Sequence, residues 1–453
     1  MNMNIRSKRI ITVGVFLMCV GLQLFNYGGS TANGPFLTEL GGYHFYSLVN
    51  SLGSAGSMIA LPAVGAIGNK TGRRNIICIG AAIMLVARCA IQITSNSFVF
   101  MALQFVGSFG AGLIMSIPYS LVGSMFEQHM AVRFYGYLAT MNALGALLGP
   151  FLAGILVDGG YTKIAYLIWI PFIFISLILI FCSYPNIKSD TEKKFDVLGL
   201  CYLAIFVVSF VLWLGLSGKA FPWISTGLIL LAIAIVSVIL LVKHSKHIDN
   251  PTVPLHVFRY KNFRTAFTVN FLLVPFATCS AGYTLMYILY TMGQSTTVGS
   301  TGAMPNTILT MVGGLFVGRI LAKNFALGIR KMMIISSVCF AGALLCFSLL
   351  QPGSSMIQVW IGSALGGIAN SIAQTCLTPF FQYNLPQNET IAAQGMYQFS
   401  STCGSAIFGA VAGVAITATG GNVKYAFYLA FLMALINILL VLKFVKVPQK
   451  CGN

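Results

Sequence analysis

The sequence predicts an all-α integral membrane protein of fourteen transmembrane helices, ordered six, two and six, with two pseudo-symmetric bundles around a central cavity. Three observations lead there. First, apolar runs follow one another along nearly all of the chain, each near the roughly 20 residues that a helix needs to cross a bilayer. Charged side chains make up 8% of the 453 residues, against about 25% in soluble domains. Second, lysine and arginine alternate between crowded and nearly empty loops. Third, the two ends of the chain repeat weakly about a central hydrophobic pair.

The expected spans cover 10–33, 45–68, 75–94, 98–123, 134–157, 164–184, 197–216, 223–242, 265–290, 301–322, 332–350, 355–383, 393–418 and 424–446. With the N-terminus inside, inner segments hold 21 of the 26 lysines and arginines, from Arg6, Lys8 and Arg9 to Lys443, Lys446 and Lys450. Outer loops hold Lys163, Lys219 and Lys424, while Arg88 and Arg319 fall within spans. A missed or extra span would invert every later loop, so the count and the cytoplasmic placement of both termini stand together. The net charge of +18 is therefore read as topology and headgroup affinity, with no nucleic-acid partner. The run after Arg6-Ser-Lys-Arg9 has no small-x-small cleavage site and reads as the first membrane helix. Ten of the eleven cysteines lie in apolar runs without Cys-x-x-Cys spacing. They read as small core fillers, and no metal cluster is expected.

The most charged inner loops, 185–196 and 243–264, bracket spans 7 and 8. This gives an N-terminal six-helix bundle at 1–184, two extra central helices with their flanking loops at 185–264, and a C-terminal six-helix bundle at 265–453. Gly65 to Arg74 after span 2 corresponds to Gly318 to Lys331 after span 10. Glu127 to Gly136 after span 4 corresponds to Glu389 to Gly395 after span 12.

Between spans 2 and 3 lies Gly65-Ala-Ile-Gly-Asn-Lys-Thr-Gly-Arg-Arg74. Its glycines, Gly65, Gly68 and Gly72, are expected to let two helices reverse tightly. Lys70, Arg73 and Arg74 hold the turn on the inner side. The stretch resembles the loop between helices 2 and 3 of the major facilitator superfamily, with Asn69 at the position that is acidic there. Lys194-Phe-Asp-Val-Leu-Gly199 at span 7 and Asn250 to Arg264 before span 9 are similar to signatures of the fourteen-helix drug:proton antiporter branch, which includes tetracycline and multidrug efflux transporters. Gly145-Ala-Leu-Leu-Gly-Pro-Phe-Leu-Ala-Gly154 resembles the antiporter motif of span 5. Gly145, Gly149 and Gly154 near one face, with the bend at Pro150, would favour export, although ordinary helix packing uses the same spacing. Gln104-Phe-Val-Gly-Ser-Phe-Gly-Ala-Gly112 resembles a span 4 pattern whose first position is an arginine tied to proton transfer.

The resemblance implies a multi-pass secondary transporter of the cell membrane, working as a monomer on small molecules by alternating access, with the basic turns as an inner gate. It implies no cofactor. By the loop assignments, none of the eight carboxylates is central to a span. Span 1 carries Asn26-Tyr-Gly-Gly-Ser-Thr-Ala-Asn33 where antiporters of the branch often have an aspartate. Arg88 is the one deep charge, about 20 Å from the inner end at 1.5 Å per residue. Such a cation faces protein or water, or snorkels outward; a site for an anionic substrate group or a gating contact is the other reading.

The neutral polar residues inside spans form the richer set. Asn26, Tyr27 and Asn33 lie in span 1, Asn142 in span 5, Tyr283 and Tyr287 in span 9, and Asn306 in span 10. Asn370 and Gln374 lie in span 12, and Tyr397 and Gln398 in span 13. Several recur at three- or four-residue spacing, which gives one helical face. They suit either interhelical hydrogen bonds or a cavity with aromatic walls and neutral hydrogen bonds for amphiphilic, aromatic or cationic organic molecules. Neither a phosphate-binding Gly-x-x-x-x-Gly-Lys-(Ser/Thr) loop nor a nucleophile–base pair appears, so no enzyme is expected. Two functions remain: multidrug-type efflux with or without proton coupling, and a proton-independent uniporter or importer of a neutral metabolite.

Overall fold

Helix follows helix from Ile5 to Phe444, and no strand occurs among the described residues. The computed structural model describes residues 4–42, 46–185, 196–216, 223–248, 251–294, 298–299, 301–323, 325–383, 385–386 and 389–445. Thirteen helices there are long and apolar enough to cross a membrane. The remaining expected span, 265–290, is built from a helix, a π turn and a second helix in direct succession.

The first span is longer than expected and is not uniform. Helix α1 (Ile5–Gln23) passes through a π turn at Leu24–Gly28 into α2 (Gly29–Glu39). Then come α3 (Tyr46–Thr71), α4 (Arg73–Ile93), α5 (Ser97–Met115), α6 (Ile117–Met125), α7 (Gln128–Asp158), α8 (Thr162–Ala165) and α9 (Ile170–Ser183). The central pair is α10 (Val197–Leu216) and α11 (Leu228–Ser245). The second half holds α12 (Lys261–Thr278), a π turn at Cys279–Tyr283, α13 (Thr284–Tyr290), α14 (Met304–Lys323), α15 (Phe325–Ser348), α16 (Met356–Gln382), α17 (Thr390–Ala418) and α18 (Lys424–Phe444).

The basic turn differs from its expected form. Gly65 and Gly68 are helical inside α3, and the reversal is made by Gly72 alone, at φ 87°. That left-handed conformation costs an L-residue energy that glycine escapes. Gly65 serves packing instead: a Cβ there would stand 2.5 Å from the Cβ of Ala392 in α17. Lys70 is exposed, and the Arg74 guanidinium lies 4.3 Å from the Phe181 ring centroid. The side chain of Asn69 lies outside the described residues.

The chain divides into two compact units. One comprises Met1–Met125, Gly145–Phe258 and Pro386–Thr402; the other comprises Phe126–Leu144, Arg259–Leu385 and Cys403–Asn453. In the first, α5 packs on α3 and α4, α1 on α9, and α10 on both α11 and α3. Its core includes Ala32, Phe36, Leu37, Phe100, Ala153 and Tyr166, with the Phe36 ring 5.1 Å from Phe100 and 5.5 Å from Tyr166. In the second, α16 packs on α14 and α15, and α18 on α15 and α12. There Gly136 of α7 meets the Gly314 backbone of α14, an approach only small residues permit. Outward faces carry large apolar side chains such as Val86, Phe98, Phe151 and Leu439, as a lipid-facing surface requires.

The two signature stretches flanking the central pair meet. Asp196 accepts from the backbone N–H groups of Gly199 at 2.7 Å and Thr252 at 3.0 Å, and His244 Nε2 lies 2.7 Å from its Oδ1. The carboxylate thus caps the Gly199 N–H in the first turn of α10 and ties that helix start to Thr252. Burial raises its proton affinity, and these partners outweigh burial, holding the carboxyl below its usual range. Asp190, Glu192 and Asp249 lie outside the described residues. All ten described cysteines are free; Cys19, Cys279 and Cys376 are buried as expected of core fillers, whereas Cys89, Cys182 and Cys201 are exposed.

Candidate functional site

The first unit brings two of the singled-out residues, Asn33 and Gln104, together at one acceptor, with Arg88 beside them. Asn33 sits in α2, Gln104 in α5, and both are buried. Gln104 Nε2 donates to Asn33 Oδ1 at 2.6 Å, and the Tyr166 hydroxyl donates to the same oxygen at 2.9 Å. The Tyr166 ring faces Arg88 of α4, whose Cζ stands 5.0 Å from its centroid and 4.1 Å from that of Phe25 in the π turn. Trp169 closes the group, 5.5 Å from Phe25 and hydrogen-bonded through Nε1 to the Tyr166 carbonyl at 2.8 Å.

Arg88 does not snorkel. It is 3% exposed, and its Nε and Nη1 have no hydrogen-bond partner. The ion pairs found among the described residues join histidines to Glu127, Asp196 and Glu389 and leave Arg88 unpaired. Two ring faces return about 0.5–2 kcal/mol each to a desolvated cation. An uncompensated buried charge costs several kcal/mol, so the rings alone do not balance it. Gly29 makes the room: a Cβ there would stand 2.9 Å from Arg88 Nη2.

The π segment that carries Phe25 also presents an open polar face. Asn26, Tyr27 and Ser30 are exposed in the middle of a membrane span, with Tyr27 46% exposed. A π turn widens the helix and is frequent at functional sites. Here the Tyr27 carbonyl accepts from the hydroxyls of Ser30 and Thr31, both at 2.9 Å. Exposed amide and phenol groups at that depth need water or a ligand. From α7, Gly145 packs on Val20 and Gln23, and Gly149 on Tyr27 and Gly28, while Gly154 meets nothing within 4 Å. Pro150 is exposed within the unbroken helix α7.

The second unit brings together a different set. Asn306 Oδ1 accepts from the Thr310 hydroxyl at 3.5 Å, Asn370 Nδ2 donates to that hydroxyl at 3.4 Å, and Gln374 Nε2 donates to Asn370 Oδ1 at 3.1 Å. This neutral ladder runs between α14 and α16. Tyr283, the last residue of the π turn at Cys279–Tyr283, donates to the Gly409 carbonyl at 3.1 Å. Tyr287 does not share its surroundings: it is 1% exposed, donates to the Leu350 carbonyl at 3.0 Å and packs on Phe427. Asn142 donates to the Leu138 carbonyl one turn back at 3.0 Å. Tyr397 is buried and Gln398 half-buried in α17.

Sequence reasoning missed Phe25, Tyr166 and Trp169, because aromatic residues in apolar runs carry no mark of the cation they face. The described residues hold no group of three or more His, Cys, Asp or Glu that could bind a metal. All described carboxylates lie at helix ends or loops, as with Glu39, Glu127, Asp158, Asp196 and Glu389.

Comparison with known proteins places this architecture. Multidrug transporter protein MdtP of Bacillus subtilis is 21% identical over 92% of this chain and 77% of its own length. Multidrug resistance protein 3 of the same organism is 22% identical over 89% and 80%. Among solved structures, the human organic anion transporter MFSD10 (TETRAN) superposes with a TM-score of 0.67 at 15% identity, covering 97% of this chain and all of that one. The family model of the Major Facilitator Superfamily matches residues 13–406 and again 326–451. The chain is therefore a multi-pass membrane transporter protein of the Major Facilitator Superfamily.

Proposed function

We infer that this protein exports small amphiphilic organic compounds across the cell membrane by alternating access, with both termini in the cytoplasm and six helices on either side of the central pair. The observation that carries this reading is the exposed polar face of Asn26, Tyr27 and Ser30 at a π turn inside the first span. The names of the multidrug relatives support a broad substrate range. In this reading Gly65, Gly68, Asn69, Lys70, Gly72, Arg73 and Arg74 form part of the inner gate. Gly145, Gly149 and Pro150 set how α7 moves against the first span. Cells expressing the protein should retain less of a fluorescent dye panel than control cells; equal retention across the panel would refute export.

Coupling has a second reading. A proton-driven pump usually places an ionisable group inside its spans, and the described carboxylates stand at helix ends. That observation favours a uniporter or importer of a neutral metabolite that moves no proton. Substrate added to proteoliposomes with an internal pH dye separates the two. A substrate-driven pH change supports antiport, and transport without one supports the proton-independent cycle.

A further inference from the structure

We propose that Arg88 is an anion-recognition site, binding the carboxylate, sulfonate or other anionic group of an aromatic small molecule. The proposal rests on the transporter reading above and names a substrate class for it. Four observations converge. The guanidinium is 3% exposed and keeps two nitrogens without a hydrogen-bond partner. Every described ion pair lies elsewhere. The Tyr166 and Gln104 donors are aimed at Asn33 Oδ1, which leaves the cation's own donors as the open valence of the cluster. The walls are flat and apolar, from Phe25 and Tyr166 on the cation and Trp169 against Phe25.

A planar fork of donors matches an oxyanion with two oxygens. Desolvated, it holds such a group far more strongly than an exposed arginine would. Aromatic walls select a ligand with an aromatic or apolar body. The exposed residues Asn26 and Ser30 directly follow Phe25 and Gly29 on the same span, so an open polar face borders the cluster. The anionic group can belong to a dissolved substrate or to a lipid headgroup, so the test carries an arm for each.

Fluorescence polarisation on the purified full-length chain tests recognition, with fluorescein as the anionic probe and rhodamine 123 as a cationic probe of related ring system. The wild type should bind fluorescein at least ten-fold more tightly than rhodamine 123. Arg88→Gln should lose at least ten-fold in fluorescein affinity, and Arg88→Lys should keep part of it, since the charge remains. Gly29→Ala, which sets a methyl group against Nη2, should weaken fluorescein several-fold and serves if Arg88→Gln does not fold. Lys163→Gln removes an exposed cation outside the cluster and should bind as the wild type does. Unchanged fluorescein binding by folded Arg88→Gln, or no preference for fluorescein in the wild type, would overturn the proposal.

Proteoliposome transport of both dyes forms the second arm. Arg88-dependent movement of fluorescein identifies a substrate site. Fluorescein that is displaced by phosphatidylglycerol vesicles and never moved identifies a lipid headgroup site and overturns the substrate assignment. If neither dye moves while binding still follows Arg88, the transport reading fails and anion recognition stands.

Discussion

The polar cluster of the first unit and that of the second are built from opposite solutions to one problem. Both place hydrogen-bonding side chains at membrane depth, where unmet polar groups are costly. In the second unit, Asn306, Thr310, Asn370 and Gln374 hand donors to acceptors along a neutral ladder. In the first, Asn33, Gln104 and Tyr166 satisfy one another while Arg88 beside them keeps two unpartnered nitrogens. The difference teaches what each cluster is for. A satisfied ladder fastens helices together; a charge left without a counterpart lowers the stability of the empty protein and has affinity to offer a ligand.

The sharpest way to break this comparison is to remove both kinds of group and compare signs. Arg88→Met should raise the thermal stability of the unliganded protein, by about 3 kcal/mol if the uncompensated charge outweighs its two ring contacts. A drop in melting temperature would mean that the rings already balance the cation. Asn370→Leu should act in the opposite direction, costing about 2 kcal/mol, because Gln374 loses its acceptor and Thr310 loses a donor. Thermal unfolding in the same detergent checks both. Asn33→Leu should cost about 1.5 kcal/mol by removing the acceptor that Gln104 and Tyr166 share. It should also loosen the ring that faces Arg88, which fluorescein affinity would report.

The smallest expected effect sharpens the contrast within the first unit. Asp196 is a buried charge with every partner that Arg88 lacks. Its carboxyl is held below the ordinary range, so the stability it contributes is present above the unfolded value, near pH 4, and is lost as pH falls through the lower folded value. Asp196→Asn should therefore cost about 1 kcal/mol at neutral pH. The gap to the wild type should close on acidification below about pH 4. A gap that stays constant with pH would mean that the clasp works by shape and not by charge.

Much of the fold was legible in the chain because lipid imposes a simple rule. Every backbone polar group must be satisfied within its own segment, so long apolar runs become helices, and the charges collect in the turns. The position of Arg88 well inside a span was also plain from its distance along α4. Its surroundings were not. Phe25, Tyr166 and Trp169 come from the first and sixth expected spans, and nothing in their local sequence distinguishes a ring under a cation from a ring facing lipid. The π turns at Leu24–Gly28 and Cys279–Tyr283 were equally silent, since an extra residue in one helical turn leaves no mark in hydropathy.

The glycines divide along the same line. Gly65, Gly68 and Gly72 look alike in the basic turn, yet only Gly72 takes the left-handed conformation; Gly65 is spent on contact with Ala392, far along the chain. Gly145 and Gly149 find the first span, and Gly154 finds nothing. Asn33 and Gln104 stood out singly as polar residues in apolar runs, but their shared oxygen could not be foreseen. By itself the sequence determined what must lie in the bilayer and which residues are out of place there, because transfer energy depends on a residue's own chemistry. Tertiary structure alone decided which of those residues are satisfied and which remain open, because a hydrogen bond or a cation–ring contact depends on distances between separate helices.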